Sequence, residues 1–121
     1  MDLESPVEKL CIEGTQEEFQ KNLDKARSLF QQAWDAAHND RDACIAAHYV
    51  AHLKEDNREK LHWNQVALEK ANMITDGSIA DIYPSLYLNM GQSYELLGDM
   101  DQATQYYQKA SDLDVDHLHS R

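Results

Sequence analysis

The side chains in this sequence best suited to chemistry near neutral pH are its six histidines, His38, His48, His52, His62, His117 and His119. His48 and His52 are four residues apart, so a helix places them on one face at a spacing that can hold a metal. No Glu follows His48 to make H-E-x-x-H, and the sequence fixes no third ligand, so no metal site is assigned. His117 and His119 fall in a polar end segment and receive no role. Asn64, with His62 nearby, is a candidate polar site because a carboxamide inside an apolar stripe needs hydrogen-bond partners. His48 or the backbone of a neighbouring helix could supply them. Trp63 reads as a core anchor. There is no Gly-rich phosphate loop, no G-x-G-x-x-G and no nucleophile elbow, and the many carboxylates read as solvated helix faces. The chain is therefore expected to be a non-enzyme without a cofactor.

Charge narrows the partners. The formal net charge is −11, and beyond Leu61 only Lys70, Lys109 and Arg121 are basic. Such a surface repels phosphate backbones, so nucleic acid is not expected, and it favours a basic or largely apolar protein partner. No apolar run is long enough to span a membrane, so no membrane role is expected. Cys11 and Cys44 form no C-x-x-C pair and no disulfide framework. With an N-terminus lacking a signal-like apolar core, this points to a reduced, cytoplasmic protein.

These side chains need helices to position them. A chain of 121 residues, rich in Ala, Leu, Gln, Glu, Asp and Lys and without alternating β-branched runs, suits one all-α domain. Residues 1–14, with Pro6 and Gly14, are expected to be a lead-in with little order. Thr15 and Glu18 read as a capping box for a long helix reaching about His38, with Phe19, Leu23, Ala26, Phe30, Ala33 and Trp34 along one side. A second helix covers about 42–53, with Asp40 or Asp42 as its cap. A third, capped by Asp56 and Glu59, contains Leu61, Asn64, Leu68 and Ala71. A fourth is expected to start near Ile79 and to contain Pro84, with a kink there. A fifth runs from Met100 to about Leu113, and residues 117–121 form a polar tail.

The stretch from Pro84 to Asp116 carries the most specific pattern. Tyr87, Met90, Gly91 and Tyr94 share one helical face, Gly98 suits a left-handed helix end, and Asp99 with Gln102 starts a new helix. Ala103, Tyr107 and Ala110 then form a second stripe. This resembles the tetratricopeptide repeat, W-x2-L-G-x2-Y followed by A-x3-F-x2-A and a Pro. Tyr87, Met90 and Tyr107 stand in the Trp, Leu and Phe slots, and Val115 replaces the closing Pro. Ala26, Phe30 and Ala33 fit the second half of the pattern, and the region around Ala43, Ala46, Ala47 and Val50 fits it loosely. The resemblance covers about residues 20–116 and implies an α-α superhelix of about five helices, roughly two and a half repeats. It further implies a non-catalytic interaction module whose groove takes a peptide or helix of a partner protein. By the same resemblance His48, His52, Leu88, Asn89, Gln92 and Glu95 face that groove. Lysines and an arginine needed to clamp an acidic peptide C-terminus are absent from the matching slots. The alternative is a small-ligand or metal-binding helical protein using the groove histidines and asparagines. Because the first long helix has no partner before it, a homodimer through Phe19, Leu23, Phe30 and Trp34 is also expected, unless the residues before Thr15 fold back over them.

Overall fold

The computed structural model describes the backbone of residues 5–119 and the side chains of residues 5–113. Six α-helices follow one another: α1 (Pro6–Phe19), α2 (Leu23–Ala36), α3 (Asp40–His52), α4 (Asn57–Asn72), α5 (Tyr83–Leu96) and α6 (Met100–His119). They pair as three antiparallel hairpins, α1/α2, α3/α4 and α5/α6, stacked in chain order. The architecture is all-α as expected, but with six helices rather than about five.

The missing helix is α1. Ser5 caps it, its Oγ accepting the Glu8 N–H at 3.1 Å, and Pro6 occupies the first turn, where a missing N–H costs nothing. Residues 6–14, expected as a lead-in, are thus helical. Gly14 sits inside the helix: a Cβ there would lie 2.4 Å from the Phe30 ring, so the absent side chain lets that ring lie against the α1 backbone. Thr15, read as a cap, lies within the same helix and donates its hydroxyl to the Cys11 carbonyl at 2.9 Å. The long helix expected from Thr15 to His38 is divided by a turn in which Lys21 adopts φ 69°. Phe19 and Leu23 therefore lie at this turn, where both are exposed, instead of on one buried stripe.

Other boundaries follow local chemistry. Asn39, rather than Asp40 or Asp42, caps α3 by accepting the Asp42 N–H at 2.8 Å. Asp42 is itself buried and accepts a hydrogen bond from the Ser5 hydroxyl, which ties the start of α3 to the start of α1. Asp56 caps α4 as expected. A single 3₁₀ turn at Ala80–Ile82 precedes α5, so Pro84 falls in the helix's first turn and interrupts no helical ladder. Gly98 takes φ 84°, and the Asp99 carboxylate accepts the Gln102 N–H at 3.1 Å, closing α5 and opening α6 as the sequence predicts. The helix α6 extends through the first residues of the expected polar tail to His119; residues 120–121 lie outside the described residues.

The core is built from small side chains. Ala26, Ala33, Ala46, Ala47 and Ala67 are fully buried, and such stripes allow close helix approach. Three clusters result. Val7, Cys11, Ala33 and Ala46 join α1, α2 and α3. Ala26, Phe30 and Val50 join α2 and α3. Cys44, Ala47, Ala67, Ala71 and Leu86 join α3, α4 and α5. Trp34 packs against all three, and its indole meets Trp63 edge-on at 5.0 Å between centroids. Phe30 is buried beneath α1, so that part of the face that motivated a dimer is covered within the chain, while Phe19 and Leu23 remain exposed.

Candidate functional site

The two outer hairpins repeat one packing device at a fixed spacing. Gly14 faces Phe30, and Gly91 faces Tyr107, whose ring would be 2.6 Å from a Cβ at position 91. Each glycine precedes its aromatic partner by sixteen residues. The same spacing in the middle hairpin runs from His48 to Asn64. Buried alanines confirm the register, since Ala33, Ala67 and Ala110 each stand nineteen residues after Gly14, His48 and Gly91. A third slot, twelve residues after each, holds buried Ala26 and Ala103 in the outer hairpins and Lys60 in the middle one. Where two hairpins have glycine, alanine and an aromatic ring, the middle one has His48, Lys60 and Asn64.

Those three residues line a cavity of about 330 Å³ together with Ala51, His52, Asn89, Gln92, Ser93 and Leu96. Here the aromatic ring of the other hairpins is replaced by a short carboxamide and their glycine by an imidazole, which makes the slot polar. The space itself comes from the position of α5: α3 packs on α1 as well as on α2 and α4, whereas α5 packs on α4 and α6. The connection over residues 73–82 is longer than those joining the other helices, and its Ile79 and Ile82 lean on the third cluster named above. A space between α3 and α5 remains.

Polar groups in the cavity are linked in order. Asn64 is only 8% exposed, and its Nδ2 donates to the Ser93 hydroxyl at 2.8 Å and more weakly to the Asn89 carbonyl at 3.5 Å. Ser93 donates in turn to the Asn89 carbonyl at 2.9 Å. The Asn89 side chain reaches the other way, its Nδ2 donating to His48 Nδ1 at 3.1 Å. With the Asn89 amide in this orientation its N–H₂ can only donate, which places the His48 proton on Nε2. Burial, then the nearby charge of His52, holds the His48 imidazole below its ordinary value. His52 points elsewhere, its Nε2 lying 2.8 Å from Glu18 at the end of α1. Lys60 Nζ donates to the His52 carbonyl at 3.2 Å, across the α3–α4 turn.

Of the residues expected to face the groove, His48, His52, Asn89 and Gln92 therefore come together around one cavity, with Asn64 at its base. Leu88 and Glu95 lie off it. Leu88 is exposed, and Glu95 accepts the Tyr107 hydroxyl at 2.6 Å, which pushes that phenol up to about 12. His62 also lies away, exposed and edge-on to Trp63. Asn64 bonds to Ser93 and the α5 backbone rather than to His48. Sequence reasoning missed Lys60 and Ser93. The signals were present: Lys60 stands in an alanine slot, and Ser93 is one turn after Asn89 on the same face.

A second cleft of about 330 Å³ opens between α1, α3 and the start of α5, lined by Glu8, Cys11, Ile12, Ile45, His48, Tyr49, Ile82 and Ser85. His48 stands on the wall shared with the first cavity. Its lining is more apolar, and Glu8 is held by an ion pair with Arg41. Cys11 and Cys44 are buried, and burial pushes their thiols up to about 12 and about 11. Among the described residues no three His, Cys, Asp or Glu side chains converge as a metal set, and no helix is long and apolar enough to cross a membrane.

Comparison with protein families bears on the third hairpin. Residues 84–117 match the family described as Tetratricopeptide repeat. This segment is similar to a tetratricopeptide repeat. The match covers α5 and most of α6, the hairpin that also has glycine at its turn. Neither a curated protein nor a solved structure matches the chain. Tetratricopeptide repeats generally serve protein–protein interaction, and their stacked hairpins build extended surfaces for it.

Proposed function

We propose that the chain is a non-catalytic interaction module that docks a peptide or helix of a partner protein on the face formed by α1, α3 and α5. The observation that carries this reading is the pair of adjoining clefts on either side of His48, one apolar and one polar. An elongated ligand would lay apolar side chains against Ile12, Ile45 and Tyr49 and extend past His48 toward Asn89, Gln92 and His52. The expected groove residues Leu88 and Glu95 would border its exit. Ile12 is 45% exposed, so apolar area remains there for a partner to cover. With a net charge of −11, the partner segment is apolar and neutral or basic. A reducing, cytoplasmic setting suits the two buried free thiols, and neither nucleic acid nor a membrane enters the proposal.

Comparative capture tests it. Partners retained by the wild-type chain should be lost with Ile45→Asp and kept with Gln108→Ala, which lies away from both clefts. Capture that Ile45→Asp leaves unchanged, in a folded variant, would reject the docking face. Light scattering on the same samples reads the expected homodimer, which now lacks the Phe30 and Trp34 face as an interface.

A further inference from the structure

We infer that the cavity around Asn64 is a recognition pocket for an uncharged primary carboxamide, such as a glutamine side chain. Three observations lead there. The cavity is lined by the two slots that hold glycine and an aromatic ring in the other two hairpins, and here both slots carry polar side chains, His48 and Asn64. Its volume, about 330 Å³, falls within the range of small-ligand sites, about 300–1,000 Å³. The carboxamide at its base is over nine-tenths buried, and its Oδ1 accepts no hydrogen bond from the described residues. No fully enclosed side-chain oxygen or nitrogen lacks a partner among the described residues, so this Oδ1 opens on the cavity that Asn64 lines.

The chemistry of the occupant follows from what the walls offer. Asn64 Oδ1 is an unfilled acceptor. His48 keeps its proton on Nε2, which donates to no described residue, and Lys60 Nζ has donors beyond the one it gives to His52. A carboxylate would suit the donors but face Asn64 Oδ1 with a second acceptor, in the field of a strongly acidic chain. An ammonium or guanidinium would suit Asn64 and be repelled by Lys60. A primary carboxamide supplies one acceptor and two donors without charge, and it can satisfy both sides at once. Ala51 and Leu96 provide aliphatic surface for a short methylene stem, which favours glutamine over asparagine.

This builds on the docking proposal only in making a partner's glutamine one source of the group; a free small carboxamide is the other. The test is an NMR titration of the full ¹⁵N-labelled chain, following the side-chain amides of Asn64, Asn89 and Gln92. The probes are N-acetylglutamine N-methylamide and its glutamate and lysine counterparts. The glutamine probe should give saturable shifts, with the other two at least about tenfold weaker, since mismatched buried polar groups are left unpaired. Asn64→Phe, which places a ring in the slot as Phe30 and Tyr107 do, should abolish the shifts at Asn89 and Gln92. Should that variant fail to fold by circular dichroism, the exposed-side change Lys60→Met decides, with weakened binding expected. Tighter binding of free glutamine than of a pentapeptide with central glutamine assigns a small molecule, and the reverse order assigns a partner side chain. No saturable shift, equal shifts with all three probes, or full binding by Lys60→Met overturns the inference. Ile45→Asp should leave probe binding intact, so loss of partner docking and loss of carboxamide binding read out separately.

Discussion

Two glycines do the same geometric work under different constraints, and their substitution should separate them. A Cβ at Gly14 would approach the Phe30 ring to 2.4 Å, and that ring is 1% exposed with no room to retreat. At Gly91 the contact with the Tyr107 ring is 2.6 Å, but Tyr107 is half-exposed and can swing outward at the loss of its bond to Glu95. Alanine gains up to ~1 kcal/mol of helix propensity over glycine at either place. Overpacking opposes it with about 1–3 kcal/mol where the neighbour is fixed. Gly14→Ala should therefore lower stability clearly and Gly91→Ala only slightly, as measured by denaturant unfolding. Equal effects would show that the Phe30 ring relaxes as freely as Tyr107. His48 carries a pH dependence. Its folded value lies below the ordinary 6.5, so the unfolded chain binds the proton more readily. The stability it confers is full above about 6.5 and is lost as pH falls toward the depressed folded value. Protonation at Nδ1 also removes the acceptor that Asn89 uses. Between pH 7.5 and 5 the wild type should lose more stability than His48→Asn, and parallel losses would remove His48 as the cause.

At the scale of elements, helix ends explain both what the sequence disclosed and what it concealed. The turn between α1 and α2 places Lys21 at φ 69°, and the corresponding turn between α5 and α6 places Gly98 at φ 84°. A left-handed non-glycine residue costs roughly 1–2 kcal/mol, while glycine's greater unfolded freedom returns about 0.5–1 kcal/mol of that. Lys21→Gly should thus raise the melting temperature modestly, and a fall would mean that the lysine side chain holds the turn. The α5/α6 hairpin was legible because every device in it was the usual one: Gly98 at the turn, Asp99 as cap, Gly91, Ala103, Tyr107 and Ala110 at the contacts. The first hairpin uses Lys21 where glycine is expected, and Gly14 reads as a chain break when its role is to admit Phe30. Its register was nevertheless encoded, since Gly14 and Phe30 keep the separation of Gly91 and Tyr107. The candidate site was half legible for a related reason. His48, Asn89 and Gln92 were reached through the repeat resemblance, but Lys60 belongs to the cavity because an alanine slot is filled by a long polar side chain. The middle hairpin departs from the pattern where its cavity lies, so a pattern-based reading loses the register there.

For the whole molecule the question is what makes three hairpins unfold as one. In stacked repeats each unit contacts chiefly its neighbours, so cooperativity passes through a few interfaces. Here the cores are alanine-rich and carry little apolar volume each, which leaves the larger side chains to couple them. Trp34 extends from α2 between the first and second hairpins, packs against all three clusters and meets Trp63 of α4. The polar ties across the same interface are weaker in kind: Arg27 of α2 reaches the Leu53 carbonyl and Glu55, and its guanidinium is partly exposed to water and salt. Trp34 is partly buried, so Trp34→Ala should remove less than the roughly 3–5 kcal/mol that deleting a fully buried aromatic costs, and should loosen the coupling as well as lower the stability. In denaturant the mutant should unfold earlier and with a shallower slope, because hairpins that separate expose their surface in stages. Arg27→Met, which keeps the stem and removes the charge, should move the midpoint little and leave the slope alone. A Trp34→Ala transition that shifts without changing slope would place the coupling elsewhere, in the alanine stripes of α3. A transition as late as that of the wild type would show that Trp34 is a surface ring and not the link between the first two hairpins.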